Sequence, residues 1–252
     1  MLITRPLPEG KTTADLAERL GAQTHLVPVL QAQPPDDPKP LIQALANLHR
    51  YQGMVFTSAH AARIFLETPH ASIVLPRLHA VGKKTAALLT QAGFPATIPN
   101  QPLGGEELAR NILRESHPGD RFLFLRAQEG RDEVTTLLSR AGRIVDQVAA
   151  YRMAPIPALD QKSMTLLHRG QIDAIPFFSG RSAHVFFNLL PADTRQLLLK
   201  KPLLAALSPT TAHTMQQSGM RVDLVSSEPN AETLLALLAY TLEINFPPTS
   251  PE

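Results

Sequence analysis

Along the chain, short runs of apolar residues alternate with longer stretches in which apolar residues recur at helical spacing. Short apolar runs such as "GMVF" and "RFLFL" have the length of buried strands, and the longer stretches between them carry apolar residues at helical spacing. The predicted strands are Leu2–Thr4, His25–Leu30, Gly53–Phe56, His79–Val81, Ala96–Ile98, Arg121–Leu125, Val145–Tyr151, Ala174–Phe178, Leu203–Leu207 and Asp223–Val225. Strands that alternate with helices indicate an α/β fold with parallel sheets covered on both faces.

The strand and helix pattern occurs twice. The segment that begins "LITRPLPEG" aligns with the segment that begins "LFLRAQEG", and the stretch "VFTSAHAARIF" aligns with "FFSGRSAHVFF" so that Thr57 falls on Ser179. The stretch "VGKKTAALLTQAGF" aligns with "LSPTTAHTMQQSGM". Glycines end the predicted helices at matching places, namely Gly21, Gly93, Gly142 and Gly219. The duplication predicts two doubly wound parallel-sheet domains.

The turns that follow the predicted strands are the places where a ligand is expected, because doubly wound sheets bind ligands at the carboxyl ends of their strands. These turns are Arg5–Glu9, Thr57–Ala59, Gly82–Lys84, Arg126–Gly130, Ser179–Ser182 and Ser208–Thr211. Each turn opens a predicted helix, whose first N–H groups are unpaired and partly positive. Such turns suit carboxylate or phosphate groups.

The composition excludes several classes of site. Of the 252 residues 44% are hydrophobic and 18% charged, which is typical of packed domains, and the net charge is only +2. The basic residues form no stripe, so we expect no nucleic-acid partner. The absence of cysteine excludes disulfides and thiolate chemistry. The nine histidines show no metal-binding spacing, so no metal site is predicted.

The start of the chain, "MLITRPLPEG", is a predicted strand and turn. We therefore expect no signal peptide. No run of about 18 apolar residues occurs, so we expect no membrane span and a cytoplasmic protein. No glycine-rich dinucleotide or phosphate-loop motif is present either.

Six stretches of the chain look like motifs that one known family carries in the same order. They are "VFTSAHAARIF", "AVGKKTAALLTQAGF", "LFLRAQEGRDEVTTLLSRAG", "VDQVAAYR", "FFSGRSAHVFF" and "LSPTTAHTMQQSGM". In this order, and together with the duplication, they resemble the uroporphyrinogen-III synthase family over nearly the whole chain.

The resemblance implies two flavodoxin-like domains in a bilobal arrangement, joined by a two-stranded connector. The first strand and helix then pack with the C-terminal half, so that residues 1–33 and 158–252 form one domain and residues 38–150 form the other. The connector strands are expected at 34–37 and 151–157. The proline-rich stretches "QAQPPDDPKP" and "MAPIPALD" lie at these places and favour extended backbone.

The reaction implied by the resemblance is the cyclisation of hydroxymethylbilane, a linear tetrapyrrole, to uroporphyrinogen III. Water is lost and ring D is inverted through a spiro intermediate, and no cofactor is expected. The substrate loses hydroxide readily and closes spontaneously to the isomer without inversion, so the enzyme mainly has to fold it and position ring D. We expect a monomer, and a transient contact with the preceding pathway enzyme stays open.

The resemblance also indicates site residues. Tyr151, in "AAYR", aligns with the family's tyrosine that faces the cleft, as an acid or as a group that orients the departing hydroxyl; a packed strand-end aromatic is the alternative. The predicted substrate-binding residues are Thr57, Ser58, Gly82, Lys83, Arg126, Ser179, Arg181, Ser208, Thr210 and Thr211. Helix capping competes with binding for the hydroxyls, and a purely structural or solvated role competes for the cations.

Two stretches depart from the family's pattern. Ser208 stands where glycine is usual, and a turn with positive φ would be strained by its Cβ. Thr210 and Thr211 are expected to cap the following helix while its N–H groups face a carboxylate. Gly180 and Arg181 replace a more usual Ser-Pro or Pro-Ser pair.

Two other functions fit the same sequence. One is a two-lobed binding protein that closes on a small anionic ligand without chemistry, and the other is a paralogue that has kept the fold and lost activity. A fold alone does not separate a binding protein from an enzyme.

Overall fold

The computed structural model describes residues 1–69, 75–101, 104–130 and 132–245. The chain divides into two compact units. Unit 1 combines Met1–Gln31 with Ala154–Glu252, and unit 2 is the continuous segment Ala32–Met153. The N-terminal residues therefore belong with the C-terminal part of the chain.

The described residues form eleven strands and eleven α-helices, which alternate except where β3 follows β2 and where α9 follows α8. The strands are β1 Leu2–Ile3, β2 His25–Leu26, β3 Leu30–Gln33, β4 Gly53–Phe56, β5 Arg77–Ala80, β6 Ala96–Thr97, β7 Arg121–Ala127, β8 Ile144–Pro155, β9 Ala174–Phe177, β10 Leu203–Ala206 and β11 Leu224–Val225. The helices are α1 Glu9–Arg19, α2 Lys39–Ala46, α3 Ala59–Glu67, α4 Lys83–Gln91, α5 Gly105–Arg114, α6 Glu133–Arg140, α7 Gln161–His168, α8 Gly180–Leu189, α9 Ala192–Leu198, α10 Pro209–Gln217 and α11 Ala231–Asn245. A short 3₁₀ helix spans Leu48–Arg50.

The sheet of unit 2 is covered on both faces. Its strands lie in the order β3-β8-β7-β4-β5-β6, and the pairs from β8 to β6 are parallel. Met54 and Phe56 of β4 pack in one core cluster with α2, α3 and α4, whereas Val55 packs in a second cluster with α5 and α6. Successive side chains of a strand point to opposite faces, so the central strands need an apolar layer on each side.

Unit 1 has the same strand order as unit 2. Strand β1 pairs in parallel with β2, and β10 pairs in parallel with both β9 and β11. Strand β1 lies beside β9, which gives the order β2, β1, β9, β10, β11. Under the sequence repeat these strands correspond to β8, β7, β4, β5 and β6, which is their order in unit 2. The structure confirms the duplication and the parallel α/β fold class.

The predicted glycine positions at helix ends are confirmed. At the end of α1, Gly21 has a φ of +87°, and the N–H of Ala22 donates to the carbonyl of Ala17 at 3.1 Å. This arrangement satisfies a carbonyl that the helix leaves unpaired, and glycine adopts the required left-handed conformation without a Cβ penalty. The other three glycines also have positive φ.

The prediction of one strand over His25–Leu30 is wrong. Strand β2 ends at Leu26 and β3 begins at Leu30, with Pro28 between them. The N–H groups of Val27 and Val29 donate to β1 and to the residue after it, but proline has no N–H to continue the ladder. Strand β8 is longer than predicted and runs to Pro155. The other predicted strands lie within a few residues of the observed ones.

Candidate functional site

The turn after β4 places a capped helix start at the carboxyl edge of the unit 2 sheet. Ser58 is the N-cap of α3, with extended backbone (φ −146°, ψ 147°), and its Oγ accepts a hydrogen bond from the N–H of Ala61 at 3.1 Å. The preceding residue, Thr57, is half-buried. The capping role proposed as the alternative for this turn is therefore present, and the earlier N–H groups of α3 begin at the same edge.

Tyr151 of β8 lies against this helix start. Its side chain is only 8% exposed, its Oη donates to Ser58 Oγ at 3.1 Å, and its ring centroid is 4.9 Å from that of His60. The pairing of β7 with β8 shifts register here, since Arg126 pairs with Ala149 but Ala127 pairs with Tyr151. The extra residue in β8 re-aims the side chains that follow it, as β-bulges do.

His60 was not predicted as a site residue, because a histidine in "SAHAARIF" fits an ordinary helix face. The structure brings it against Tyr151 through the contact between α3 and β8. A long-range contact of this kind leaves no local sequence pattern, so only the sheet register reveals it.

Arg126 is engaged within unit 2. It is 9% exposed, and its terminal nitrogens donate to the carboxylate of Asp132, the amide oxygen of Gln147 and the carbonyl of Gly130. Its Nε is buried without a partner among the described residues. These contacts hold the guanidinium against β8 and the turn between β7 and α6, and a role in substrate binding stays a prediction.

The turn after β5 consists of a glycine at the N-cap of α4 and a lysine directly after it. Gly82 is the N-cap of α4 in extended conformation, and its carbonyl accepts from the N–H of Ala86 at 3.1 Å. Lys83 is exposed at the first position of the helix. Gly82 has no side chain to cap the first turn, and the positive end of the helix dipole at this turn favours an anion.

In unit 1, the turn after β9 is also a serine-capped helix start. Ser179 Oγ accepts from the N–H of Ser182 at 3.1 Å and donates to Ser182 Oγ at 3.0 Å. The predicted alignment of Thr57 with Ser179 is wrong by one residue. Strands β4 and β9 end at Phe56 and Phe177, so the two capping serines, Ser58 and Ser179, are the equivalent residues.

The expected cap from Thr210 and Thr211 is also corrected. Ser208 caps α10, with its Oγ 3.3 Å from the N–H of Thr211. Pro209 occupies the first helical position, which its fixed φ favours, so the helix begins directly after Ser208. Thr211 is buried beside Ser208 and Thr210 is exposed.

The expected strain at Ser208 is absent. Its backbone is extended, with φ −155° and ψ 163°, a conformation that any residue adopts. The equivalent Gly82 is extended as well, at φ −173°. Serine at this place therefore costs no backbone strain and adds a cap, and the departure from glycine gives no physical reason for lost activity.

Gly180, which belongs to the second stretch that departs from the family's pattern, is explained by the packing of two helices. A Cβ on Gly180 would lie 2.5 Å from Cβ and Oγ1 of Thr214, so glycine lets α8 and α10 approach closely. Arg181, the next residue, is exposed. The unusual pair thus combines a close helix contact with a charged side chain at the start of α8.

Replacing Gly180 with alanine is expected to destabilise the protein by about 1–3 kcal/mol, since the added methyl overlaps Thr214. Gly105→Ala is the matched control, because Gly105 is also the first residue of a helix and its nearest neighbour would be Val134 Cγ2 at 3.1 Å. Urea unfolding of both variants measures the difference. Equal midpoints would contradict the close-contact explanation.

Three cavities among the described residues lie at the amino ends of strands, opposite to the turns. Two cavities of about 500 Å³ in unit 1 share Met1 and Asp173, which precede β1 and β9. A cavity of about 240 Å³ in unit 2 is lined by Gln52, Arg77 and Phe122, at the starts of β4, β5 and β7. Because parallel sheets bind ligands at their carboxyl ends, these cavities are weaker candidates than the turns.

Within the ranges that the structure describes, no group of three or more His, Cys, Asp or Glu side chains is arranged to hold a metal ion. No helix in the same ranges has both the length and the apolar character needed to cross a membrane.

Known proteins resemble this chain over nearly its full length. The family model described as uroporphyrinogen-III synthase HemD matches residues 11–236. The uroporphyrinogen-III synthase of Synechococcus elongatus is 25% identical over 93% of this chain and 92% of its own length. The enzyme of the same name from Escherichia coli is 24% identical over 94% of this chain and 99% of its own length.

Solved structures show the same fold. A mutant uroporphyrinogen III synthase from Thermus thermophilus is 19% identical, with a TM-score of 0.52 over 96% of this chain and 98% of that chain. The uroporphyrinogen-III synthetase of Helicobacter pylori is 20% identical, with a TM-score of 0.58 over 87% of this chain and 94% of that chain. The family match spans both units and every turn predicted to bind a ligand except Arg5–Glu9. This chain therefore belongs to the uroporphyrinogen-III synthase family.

Proposed function

We propose that this protein catalyses the cyclisation of hydroxymethylbilane to uroporphyrinogen III, with loss of water and inversion of ring D, as a hydro-lyase of tetrapyrrole biosynthesis. Membership of the family supports the reaction. The observation that carries it in this chain is the placement of Tyr151 against the start of α3 at the carboxyl edge of the unit 2 sheet.

Binding is assigned to the helix starts. The substrate carries eight carboxylates, and each capped turn offers N–H groups with partial positive charge. Lys83 and Arg181 are exposed cations in two of these turns. The assigned substrate-binding residues are Thr57, Ser58, Gly82, Lys83, Arg126, Ser179, Arg181, Ser208, Thr210 and Thr211. Held at several points, the linear substrate is confined to the few conformations from which ring D can be inverted.

Tyr151 is assigned to the departure of the hydroxyl group. The phenol gives its proton to the hydroxyl, which leaves as water, while the substrate becomes an azafulvenium cation and the tyrosine a phenolate. The pyrrole carbon that closes the ring later loses a proton, which restores the phenol. An unperturbed phenol is a weak acid at neutral pH, so the residues around Tyr151 must support this step.

The remaining parts of the proposal follow the family. We assign residues 1–33 with 158–252 and residues 38–150 to two domains, with 34–37 and 151–157 as the connecting segments. The connector strand expected at 34–37 is not a strand in the structure, since β3 ends at Gln33, whereas β8 extends through the second segment to Pro155. The protein is proposed to act as a cytoplasmic monomer without a cofactor, and a transient contact with the preceding enzyme would shorten the lifetime of the unstable free substrate.

The test supplies hydroxymethylbilane enzymatically, oxidises the products and separates the porphyrin isomers. The proposed function predicts isomer III in excess over the spontaneous isomer I, in proportion to enzyme concentration. Isomer I alone, at the rate of the reaction without enzyme, would show that the chain binds an anionic ligand or has lost activity.

A further inference from the structure

The hydroxyl of Ser58 has more partners than a helix cap requires. A serine hydroxyl has one proton and two lone pairs. One lone pair accepts the N–H of Ala61 at 3.1 Å, and the other accepts the O–H of Tyr151 at 3.1 Å. The contact between the two hydroxyls can run in either direction, because a hydroxyl rotates to suit its partners.

The two directions have opposite consequences. When Tyr151 donates to Ser58, the phenolic proton lies in that hydrogen bond and is not directed at the substrate. When Ser58 donates to Tyr151 Oη, the phenolic proton is no longer engaged by Ser58, and the serine proton also stabilises the phenolate that proton transfer creates. Only the second direction supports an acid.

The equivalent turn in unit 1 differs from the turn at Ser58 in the residues that surround the capping serine. Ser179 is the equivalent cap, and its proton goes to Ser182 Oγ at 3.0 Å. The residue equivalent to Ser182 in unit 2 is Ala61, which has no hydroxyl to take the proton of Ser58. The residue equivalent to Tyr151 in unit 1 is Leu30, which has no hydroxyl to receive one. Unit 2 therefore lacks the hydroxyl acceptor that Ser182 provides in unit 1 and has instead the hydroxyl of Tyr151 beside the cap.

We propose that Ser58 is a positioning residue for Tyr151: while its Oγ caps α3, its proton is donated to Tyr151 Oη in the reacting state, so that the phenolic proton is directed to the departing hydroxyl. The ring of His60, whose centroid is 4.9 Å from that of Tyr151, limits the rotation of the phenol and keeps its hydroxyl within hydrogen-bonding distance of Ser58. The inference rests on the proposed function and gives Ser58 a role different from binding a substrate carboxylate.

The test measures ionisation of Tyr151 directly. The chain has three tyrosines and no tryptophan, so phenolate absorbance is readily followed. Subtracting the titration of the same variant with Tyr151→Phe isolates Tyr151. Burial and the hydrogen bond to Asp146 raise the pKa of Tyr51 to about 12, which separates its signal further.

Three variants separate the roles of Ser58. Ser58→Ala removes the cap and the donor, Ser58→Thr keeps both, and Ala61→Ser keeps the cap but supplies the competing hydroxyl found in unit 1. We expect Ser58→Ala to raise the ionisation midpoint of Tyr151 by about one pH unit and to lower kcat about tenfold with KM little changed. Ser58→Thr, the conservative variant, should recover most of the midpoint shift and of the kcat that Ser58→Ala loses, and Ala61→Ser should shift both quantities in the direction of Ser58→Ala.

The opposite outcomes are equally clear. A tenfold loss of kcat with an unchanged midpoint in Ser58→Ala, or a raised KM with unchanged kcat, would overturn the positioning role. An Ala61→Ser variant identical to the parent would also count against it. If the parent forms no isomer III, the proposed function fails, while the titration still reports whether Ser58 donates to Tyr151.

Discussion

Replacing Tyr151 with phenylalanine is expected to lower kcat for isomer III about a hundredfold, the lower end of the range for a lost general acid. The ring stays packed against His60, so the fold and substrate binding are retained, and only the proton donor is removed. Because spontaneous closure continues, isomer I should rise as the fraction of isomer III falls.

Tyr240→Phe is the matched control, since Tyr240 is 65% exposed on α11. That variant should retain the parent's kcat and isomer ratio. If Tyr151→Phe and Tyr240→Phe are equally active and equally folded, substrate positioning alone accounts for the catalysis and the acid role of Tyr151 is excluded.

Acidification is expected to remove about 3 kcal/mol of stability through a single histidine, His79. This side chain is 2% exposed, its Nδ1 is 2.9 Å from Thr97 Oγ1, and burial lowers its pKa to about 4. Its neighbours Glu115 and Arg77 act in opposite directions and do not offset the burial.

The pH window follows from the two protonation equilibria. The unfolded chain binds a proton at His79 as the pH falls through about 6.5, whereas the folded protein stays neutral there until about pH 4. Protonation therefore favours the unfolded state, and the loss of stability begins below pH 6.5 and is complete near pH 4. Well above pH 6.5 His79 is uncharged in both states and contributes no pH dependence.

Urea unfolding at several pH values, for the parent and for His79→Gln, measures this term as a difference. Carboxylates titrate in both proteins, so their contribution cancels. The parent should lose more stability than His79→Gln between pH 6.5 and 4. His25→Gln is the comparison, because the pKa of His25 is also lowered by burial but its side chain is only partly buried. Parallel curves for parent and His79→Gln would exclude the effect.

The fold could be predicted because its signals are local and repeated. Alternation of short apolar runs with helical stretches indicates strands and helices directly, and the glycines that end helices, such as Gly21 and Gly142, are fixed by the need for positive φ. The break at Pro28 was missed because the valines on either side of it continue the apolar pattern of a strand.

The site was harder to predict, because its geometry depends on register. "FTS" and "FFS" can be aligned in two ways, and only the ends of β4 and β9 decide that Ser58 matches Ser179. The contact of Tyr151 with Ser58 and His60 depends on the bulge between β7 and β8, which no local pattern encodes. The internal partners of Arg126 were hidden for the same reason, since they come from separate elements.

The discontinuous make-up of unit 1 imposes an order on synthesis. Strands β1 and β2 emerge first from the ribosome, but β9, β10 and β11 belong to the last segment of the chain. Unit 2 is continuous and can complete its core while that segment is still being translated. The N-terminal α/β element must then remain unpaired and soluble until its partners arrive. A ribosome-bound chain stalled at Leu198, far enough beyond Met153 for all of unit 2 to have left the exit tunnel, should accordingly resist protease over unit 2 and be cut within Met1–Gln31.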